Sequence, residues 1–257
     1  MKRALIISAA MLAVIQLGTS AAIASPITFD FANGGMRTGL GNEIVLTVDG
    51  LTATLRGFSV DKTGGDFTIS EVTRWNTGAG NCNGSSTEPQ KSSNCSSPNH
   101  AVDNGGNDNR VDVLYVEFSS ALTEALADVI LHQAVISSWN SDFDVSYWAG
   151  TGSISLAGLS LAELTALSMG GRFDDDFTGT TSNGNTRPVP FSGIEGPVNW
   201  IVFGAQVPEA GTSNSDKKND AFKFKLLTVE EQQVPAPGVI YLLGAGMLAL
   251  GLSRRRR

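Results

Sequence analysis

The stretch Ile44-Val45-Leu46-Thr47-Val48-Asp49-Gly50-Leu51-Thr52-Ala53-Thr54-Leu55 decides the fold class. Apolar residues occupy every second position from Ile44 to Val48 and again from Leu51 to Leu55, as in strands with one buried face. The Asp-Gly dipeptide between the two runs is typical of a two-residue turn that joins antiparallel strands. The predicted cross-strand pairs, all on one face of a β-hairpin, are Val48 with Leu51, Leu46 with Ala53, and Ile44 with Leu55.

Further strand patterns recur along the chain. Residues 76–110 and 179–196 are rich in Gly, Ser, Asn, Thr and Pro and are predicted to be surface loops. Between 119 and 135 the pattern fits a helix or a strand, and a strand is favoured for the second half. The other predicted strands are residues 27–31, 67–75, 111–118, 143–147, 200–203 and 222–226.

One short helix is predicted after Ser160, because Ser160 and Glu163 form a capping box before an apolar run. The pair Gly170-Gly171 is expected to end that stretch. Many short strands with turn signals between them predict an all-β chain with a single β-sandwich of jelly-roll type.

The first residues have the pattern of a secretory signal peptide. A basic start, Met1-Lys2-Arg3, precedes an apolar run over 4–17 and a small-residue cleavage site at Ala22-Ile23-Ala24, before Ser25. Cleavage between Ala24 and Ser25 is the expectation, and a retained membrane anchor is the alternative. The predicted organisation is therefore a signal peptide at 1–24, a β-sandwich ectodomain at 25–233 and a C-terminal signal at 234–257.

The C-terminal segment has three parts: Val234-Pro235-Ala236-Pro237, an apolar run over 238–252, and four arginines at 254–257. Fifteen helical residues span about 22 Å, less than the roughly 30 Å of a bilayer core, so only a weak membrane span is predicted. The arginine cluster is expected to stay on the cytoplasmic side, with everything before it outside. A consumed processing signal is favoured over a permanent tail anchor.

This tail resembles the C-terminal sorting signal of the PEP-CTERM group, the substrates of exosortases. Ala236 stands where the PEP motif has Glu, so VPAPG is closer to the VPLPA-CTERM variant. The resemblance implies an exosortase-type sorting enzyme as partner and a transient anchor in the inner membrane of a Gram-negative bacterium. It also implies a final location at the cell surface or outside the cell. The matching residues are Val234, Pro235, Pro237, Arg254, Arg255, Arg256 and Arg257.

A second resemblance covers most of the predicted mature domain. The runs HAVDNGGNDNRVDVLYVEF, DFDVSYWAG, WIVFGA and DAFKFKL are similar to the ectodomain of exosortase-dependent surface proteins. That ectodomain resembles a β-sandwich, and it has no assigned catalytic residues to transfer to this chain.

Charge and cysteine content restrict the partners. Of the 18 basic residues, six lie in the two predicted processing segments, so 12 basic against 25 acidic residues give the mature part a charge of −13. Such a surface repels nucleic acid and anionic membranes. Cys82 and Cys95 are the only cysteines, and in an exported protein they are predicted to form a disulfide, with two free thiols as the alternative.

Candidate chemistry is sparse. Neither His100 nor His132 has zinc-site spacing, and the acids Asp142, Asp144 and 174–176 are interpreted as solvated loop residues rather than a glycosidase pair. A structural Ca²⁺ is considered at Asp103, Asn107 and Asp108, together with Asn104 and Asn109, and the alternative is an Asx-rich turn.

An aromatic sugar-binding face is the other candidate. Trp75 beside the long loop is expected to be the most exposed tryptophan, whereas tryptophans of all-β domains are more often core residues. The favoured function is a non-enzymatic surface or matrix protein in an exopolysaccharide or biofilm layer. A lectin-like module and, with least support, a secreted hydrolase are the alternatives.

Overall fold

Fourteen β-strands and one helix form the described part of the chain, which in the computed structural model comprises residues 25–33, 41–62, 64–82, 101–104, 110–138, 144–176, 185–207 and 220–232. These residues belong to one compact unit, Ser25–Gln232. The predicted signal peptide, residues 1–24, and the predicted sorting signal, residues 234–257, lie outside the described residues.

The elements follow one another with the helix between the tenth and eleventh strands. In chain order they are β1 (Ile27–Asp30), β2 (Glu43–Val48), β3 (Leu51–Asp61), β4 (Thr68–Ile69), β5 (Glu71–Trp75), β6 (Gly78–Cys82), β7 (Val102–Asp103), β8 (Arg110–Ser120), β9 (Val129–Ser138), β10 (Val145–Gly150), α1 (Leu161–Leu167), β11 (Phe173–Asp175), β12 (Thr186–Pro190), β13 (Trp200–Ala205) and β14 (Ala221–Glu231).

Two seven-stranded antiparallel sheets contain all of these strands. Sheet A has the order β12-β9-β14-β6-β5, and β1 and β7 also pair with β14. Sheet B has the order β11-β10-β13-β8-β3-β2, and β4 also pairs with β3. The predicted all-β chain of two packed sheets with one short helix is confirmed at this level.

The β2–β3 hairpin has the predicted register throughout. Val48 pairs with Leu51, Leu46 with Ala53 and Ile44 with Leu55. Asp49 and Gly50 have φ of 50° and 86°, the left-handed values that a type I′ turn requires.

Aromatic side chains join the two sheets. The ring of Phe203 on β13 lies 5.4 Å from the rings of Phe222 and Phe224 on β14, measured between centroids. Phe29 on β1 contacts Phe118 on β8 at 6.3 Å. All five side chains are fully buried, and each contributes roughly 1.5–3 kcal/mol through removal of apolar surface from water.

The helix forms where the capping box predicted it. The backbone N–H of Glu163 donates to Ser160 Oγ at 3.3 Å, and the Ser160 N–H donates to Glu163 Oε2 at 2.8 Å. The Ser160 backbone N–H that binds the carboxylate holds the pKa of Glu163 below its usual value. Leu164 is buried on the inner side of this helix, which fixes it against the sheet.

Three strands lie in the segments predicted to be loops: β6 and β7 within 76–110, and β12 within 179–196. β6 is buried along its whole length, since it lies between β5 and β14, and Gly78 lets its backbone approach β14 closely. A Cβ at Gly78 would lie 2.7 Å from the carbonyl oxygen of Phe224. β12 is an edge strand, where Pro188 and Pro190 are tolerated because no neighbour needs their missing N–H groups.

Two further predictions changed in detail, and a third is confirmed. The strand predicted over 67–75 is divided into β4 and β5 at Ser70, whose N–H bonds the Gly57 carbonyl at 3.0 Å. The strand favoured after residue 128 is confirmed as β9. Asp174 and Asp175, expected in a solvated loop, lie in β11, where each bonds an arginine, Arg172 and Arg187 respectively.

Candidate functional site

A row of polar side chains lies along β5 on the face of sheet A that points away from the shared core. The row consists of Glu71, Thr73 and Trp75, which share a face because side chains alternate along a strand. Val72 between them belongs to the core, which fixes the outward direction of the row. We call these three residues the β5 polar row.

Each residue of this row has a buried polar atom without a hydrogen-bond partner. These atoms are Glu71 Oε1, Thr73 Oγ1 and Trp75 Nε1. Glu71 is 5% exposed, Thr73 is fully buried and Trp75 is partly exposed. A buried donor or acceptor left without a partner costs about 1–3 kcal/mol, and native proteins contain few of them. Three at successive outward positions of one strand therefore mark this face as a candidate binding surface.

The strand beside the row contributes little side-chain bulk. Trp75 pairs with Gly78, Thr73 with Gly80 and Glu71 with Cys82. Directly paired residues of antiparallel strands share a face, so two glycines lie next to the row. The missing side chains leave the indole ring of Trp75 without a cross-strand cover from β6.

Lys223 on β14 belongs to the same outer face. Its neighbour Phe224 points into the core, and a Cβ added to Gly78 would lie 3.1 Å from Lys223 Cβ. Lys223 is only 1% exposed, and burial lowers the pKa of its amine to about 8. The amine is therefore partly neutral in mildly alkaline solution.

These groups are of the kinds that recognise polyols. Glu71 Oε1 and Thr73 Oγ1 are hydrogen-bond acceptors and the Trp75 indole N–H is a donor, but all three atoms are buried, so the partly exposed ring of Trp75 is the part of the row that is open to a ligand. The ring of Trp75 adds an apolar surface of the kind on which the C–H groups of a sugar pack.

A second polar cluster joins the strand ends at one end of the sandwich. Asn104 follows β7, Asp144 precedes β10, Gln206 follows β13 and Asp220 precedes β14. Asn104 Nδ2 donates to the Gln206 carbonyl at 2.8 Å and also to Asp220 Oδ2. The Asp144 N–H donates to Asp220 Oδ1 at 3.2 Å. This cluster holds the strand ends together, since all four residues are buried.

The structure places only some of the residues considered for calcium. Asp103 lies in β7 opposite Ala221, and Asn104 is engaged in the cluster just described. Asn107 and Asp108 lie outside the described residues. Within the described ranges, no group of three His, Cys, Asp or Glu side chains is arranged to hold a metal ion. The calcium site stays a prediction.

Cys82 is buried at the end of β6, whereas Cys95 lies outside the described residues, so their disulfide stays a prediction.

Ser25 is the first described residue and is exposed, whereas Ala24 and the predicted sorting residues from Val234 to Arg257 lie outside the described residues. No helix in the described ranges is both long and apolar enough to cross a membrane.

The other tryptophans differ from Trp75. Trp148 and Trp200 are fully buried, as expected of core residues, and Trp139 is outside the described residues. Trp148 Nε1 donates to Thr165 Oγ1 at 3.1 Å, and Trp200 Nε1 donates to the Thr151 carbonyl at 3.3 Å. Of the three described tryptophans, only Trp75 is not fully buried, and only its indole N–H lacks a partner.

Sequence reasoning identified Trp75 but missed its neighbours. Glu71, Thr73 and Lys223 were not singled out, because acidic, hydroxyl and basic residues on alternating strand positions normally face solvent. The sequence did contain one signal, since Thr73 and Trp75 are two positions apart on one strand and therefore share a face.

Comparisons with known proteins gave no match. No protein-family model matches the chain, and no significant similarity was found to a curated protein or to a solved structure.

Proposed function

We propose that this chain is an exported surface or extracellular-matrix protein, processed by an exosortase-type sorting enzyme, with a non-catalytic interaction role in the exopolysaccharide or biofilm layer. The signal-peptide pattern and the Pro-x-Pro, apolar and arginine tail support the delivery route. The charge of −13 on the mature part supports a solvated extracellular setting.

The β5 polar row is the observation that supports an interaction role. The partly exposed ring of Trp75, together with the unpartnered but buried Glu71 Oε1, Thr73 Oγ1 and indole N–H, favours a ligand rich in hydroxyl groups, and extracellular polysaccharide is the ligand of that chemistry in the proposed location. A lectin-like module is thus the second candidate function, favoured by the same three residues. Its fold type, a jelly-roll-like arrangement, is part of this proposal.

A structural Ca²⁺ near Asp103, Asn107 and Asp108 is compatible with this function. Asp103 ends β7, directly before the predicted Asx-rich loop. Calcium takes six to eight oxygen ligands from carboxylates, amides and carbonyls, which such a loop supplies.

Polysaccharide binding by residues 25–233 tests the interaction role. Co-sedimentation with extracellular polysaccharide from the native host is expected to be saturable for the unaltered domain. Trp75→Ala is expected to weaken it strongly, whereas Trp75→Phe, which keeps a ring and removes the N–H, is expected to be intermediate. Thr123→Val, in the exposed turn that follows β8, serves as the control and should bind normally. Equal binding by all four proteins would exclude the β5 polar row as the contact.

A further inference from the structure

The main strand orders of the two sheets end in four edge strands, β12 and β5 in sheet A and β11 and β2 in sheet B. An edge strand presents unpaired N–H and C=O groups to any other chain with a free strand. Natural proteins protect such edges with proline, charge, short length or a covering group. The four edges of this protein differ in that protection.

Three of the edges carry a recognisable protection. β12 contains Pro188 and Pro190, which have no N–H to offer. On β5 the side chain of Asn42 covers Val72, since the Val72 N–H donates to Asn42 Oδ1 at 2.8 Å and Asn42 Nδ2 donates to the Val72 carbonyl at 2.7 Å. β11 has only three residues, two of them aspartates.

Within the described residues, β2 has none of these protections. It has six residues, Glu43–Val48, without proline or lysine. Its one charged side chain, Glu43, is held by Arg56 on the neighbouring strand, with 3.1 Å between Arg56 Nε and Glu43 Oε2. Val45 points away from the core and is 47% exposed. The strand therefore combines an open edge with an exposed apolar side chain.

The hairpin turn decides which backbone groups face this open edge. In a two-residue hairpin the residues that flank the turn, Val48 and Leu51, exchange backbone hydrogen bonds. The alternation of an antiparallel ladder then directs the N–H and C=O groups of Thr47, Val45 and Glu43 away from β3. These three residues are the positions at which another strand can bond.

We propose that β2 pairs antiparallel with β2 of a second copy of this chain, with the twofold axis at Val45. Val45 then lies opposite Val45 of the second copy, and Glu43 lies opposite Thr47 of the second copy in both directions. Each of these pairs is a hydrogen-bonded pair, because all of its residues direct their backbone groups to the edge. Sheet B becomes continuous across two copies through an isologous interface.

Electrostatics disfavours two of the alternative registers. Centring the axis on Leu46 would place Glu43 opposite Asp49 of the second copy, two like charges on directly opposed residues, which is destabilising. Centring it on Glu43 would oppose the two Glu43 carboxylates. The Val45 register instead sets each carboxylate against a hydroxyl-bearing residue, and it buries the exposed Val45 side chains against each other.

The oligomeric state of residues 25–233, measured by sedimentation velocity over a concentration series, tests this proposal. The unaltered domain is expected to form dimers, more readily at high ionic strength because salt screens the charge of −13 on each copy. Val45→Lys places two like charges opposite each other and is expected to lower the association constant on the order of tenfold or more. Thr186→Lys, the same type of change on the proline-protected edge β12, should leave it unchanged.

A cysteine pair tests the register itself. Opposed residues of a hydrogen-bonded antiparallel pair have Cα atoms about 5.5 Å apart, which a disulfide can bridge. Val45→Cys is expected to form a covalent dimer under mild oxidation, whereas Thr47→Cys, which lies opposite Glu43, is not. A domain that stays monomeric at its highest soluble concentration would overturn the proposal. Dimerisation of Val45→Lys equal to that of the unaltered domain would overturn it as well. So would cross-linking of Thr47→Cys equal to that of Val45→Cys.

Discussion

Asn104 and Asp220, separated by 116 positions in the chain, bind each other through both side chain and backbone. The Asp220 N–H donates to Asn104 Oδ1 at 2.8 Å, and Asn104 Nδ2 donates to Asp220 Oδ2. Asn104 is 2% exposed and Asp220 is fully buried. The pair fixes the start of β14 against the end of β7.

Loss of the Asn104 amide is therefore expected to destabilise the fold. Asn104→Ala leaves the Asp220 N–H and the Asp220 carboxylate without this partner, which costs about 1–3 kcal/mol or somewhat more for the charged group. Thermal unfolding followed by circular dichroism should show a melting temperature lower by roughly 2–4 °C per kcal/mol. Asn33→Ala, an exposed change of the same type, is the control, and an equal effect of the two would contradict the role assigned to Asn104.

Thr73 offers the opposite test, because its buried hydroxyl has no partner. Thr73→Val keeps the shape of the side chain and removes the unpartnered oxygen, so the free energy of unfolding is expected to rise by about 1 kcal/mol. Thr165→Val is the matched control, since Thr165 Oγ1 accepts from Trp148 and donates to the Leu161 carbonyl. The free energy of unfolding of this control should fall by about 1 kcal/mol. Destabilisation by Thr73→Val in urea titrations would show that its hydroxyl is partnered.

Burial of Lys223 predicts a pH dependence of stability. Its pKa is lowered from 10.5 to about 8, so between these values the unfolded chain binds more protons than the folded one. This group therefore makes the free energy of unfolding rise with pH from about 8 to 10.5. Below about 8 the buried amine is protonated, and its destabilising effect on the folded state is at its full size. Urea unfolding at a series of pH values should show this slope in the unaltered protein and lose it in Lys223→Met. Lys225→Met, a change at a neighbouring lysine that is less buried, should retain the slope.

The predicted disulfide between Cys82 and Cys95 has a direct stability consequence. Closing a loop of this length restricts the unfolded chain and stabilises by roughly 3 kcal/mol in the chain-entropy model. Reduction of the oxidised protein should lower its melting temperature, and the Cys82→Ser, Cys95→Ser double variant should melt at the reduced value in both conditions. Two reactive thiols in the denatured, unreduced protein would contradict the pairing.

Local signals in the sequence predicted the elements that depend on local chemistry. The β2–β3 hairpin follows from strict alternation around Asp49-Gly50, and its register was predicted pair by pair. The helix follows from the Ser160 and Glu163 capping box. In both cases the determining residues lie within a few positions of one another.

Elements that depend on distant neighbours were missed. Gly78-Ala79-Gly80-Asn81-Cys82 has no apolar alternation, and it becomes a strand because β5 and β14 lie close on either side. The prolines of β12 argue against a strand unless the strand is known to lie at an edge. Edge position is a property of the whole sheet and not of the segment.

The candidate site was predictable only in part. Alternation indicates that Glu71, Thr73 and Trp75 share a face, but not that this face is buried or that its polar atoms lack partners. The same limit applies to Lys223, because alternation with Phe222 and Phe224 predicts an outward direction and normally a solvated amine. Burial of an outward face depends on long-range packing, which periodicity does not encode.

Delivery to the cell surface by a consumed sorting signal is the central proposal, and the C-terminus of the native protein tests it most directly. The measurement is the intact mass and the C-terminal peptide of the protein recovered from the surface fraction of its native host. A chain that begins near Ser25 and ends near Pro235 is the expected result. Recovery of a chain that still ends at Arg257, in a membrane pellet, would contradict the sorting proposal and indicate a tail-anchored exported domain.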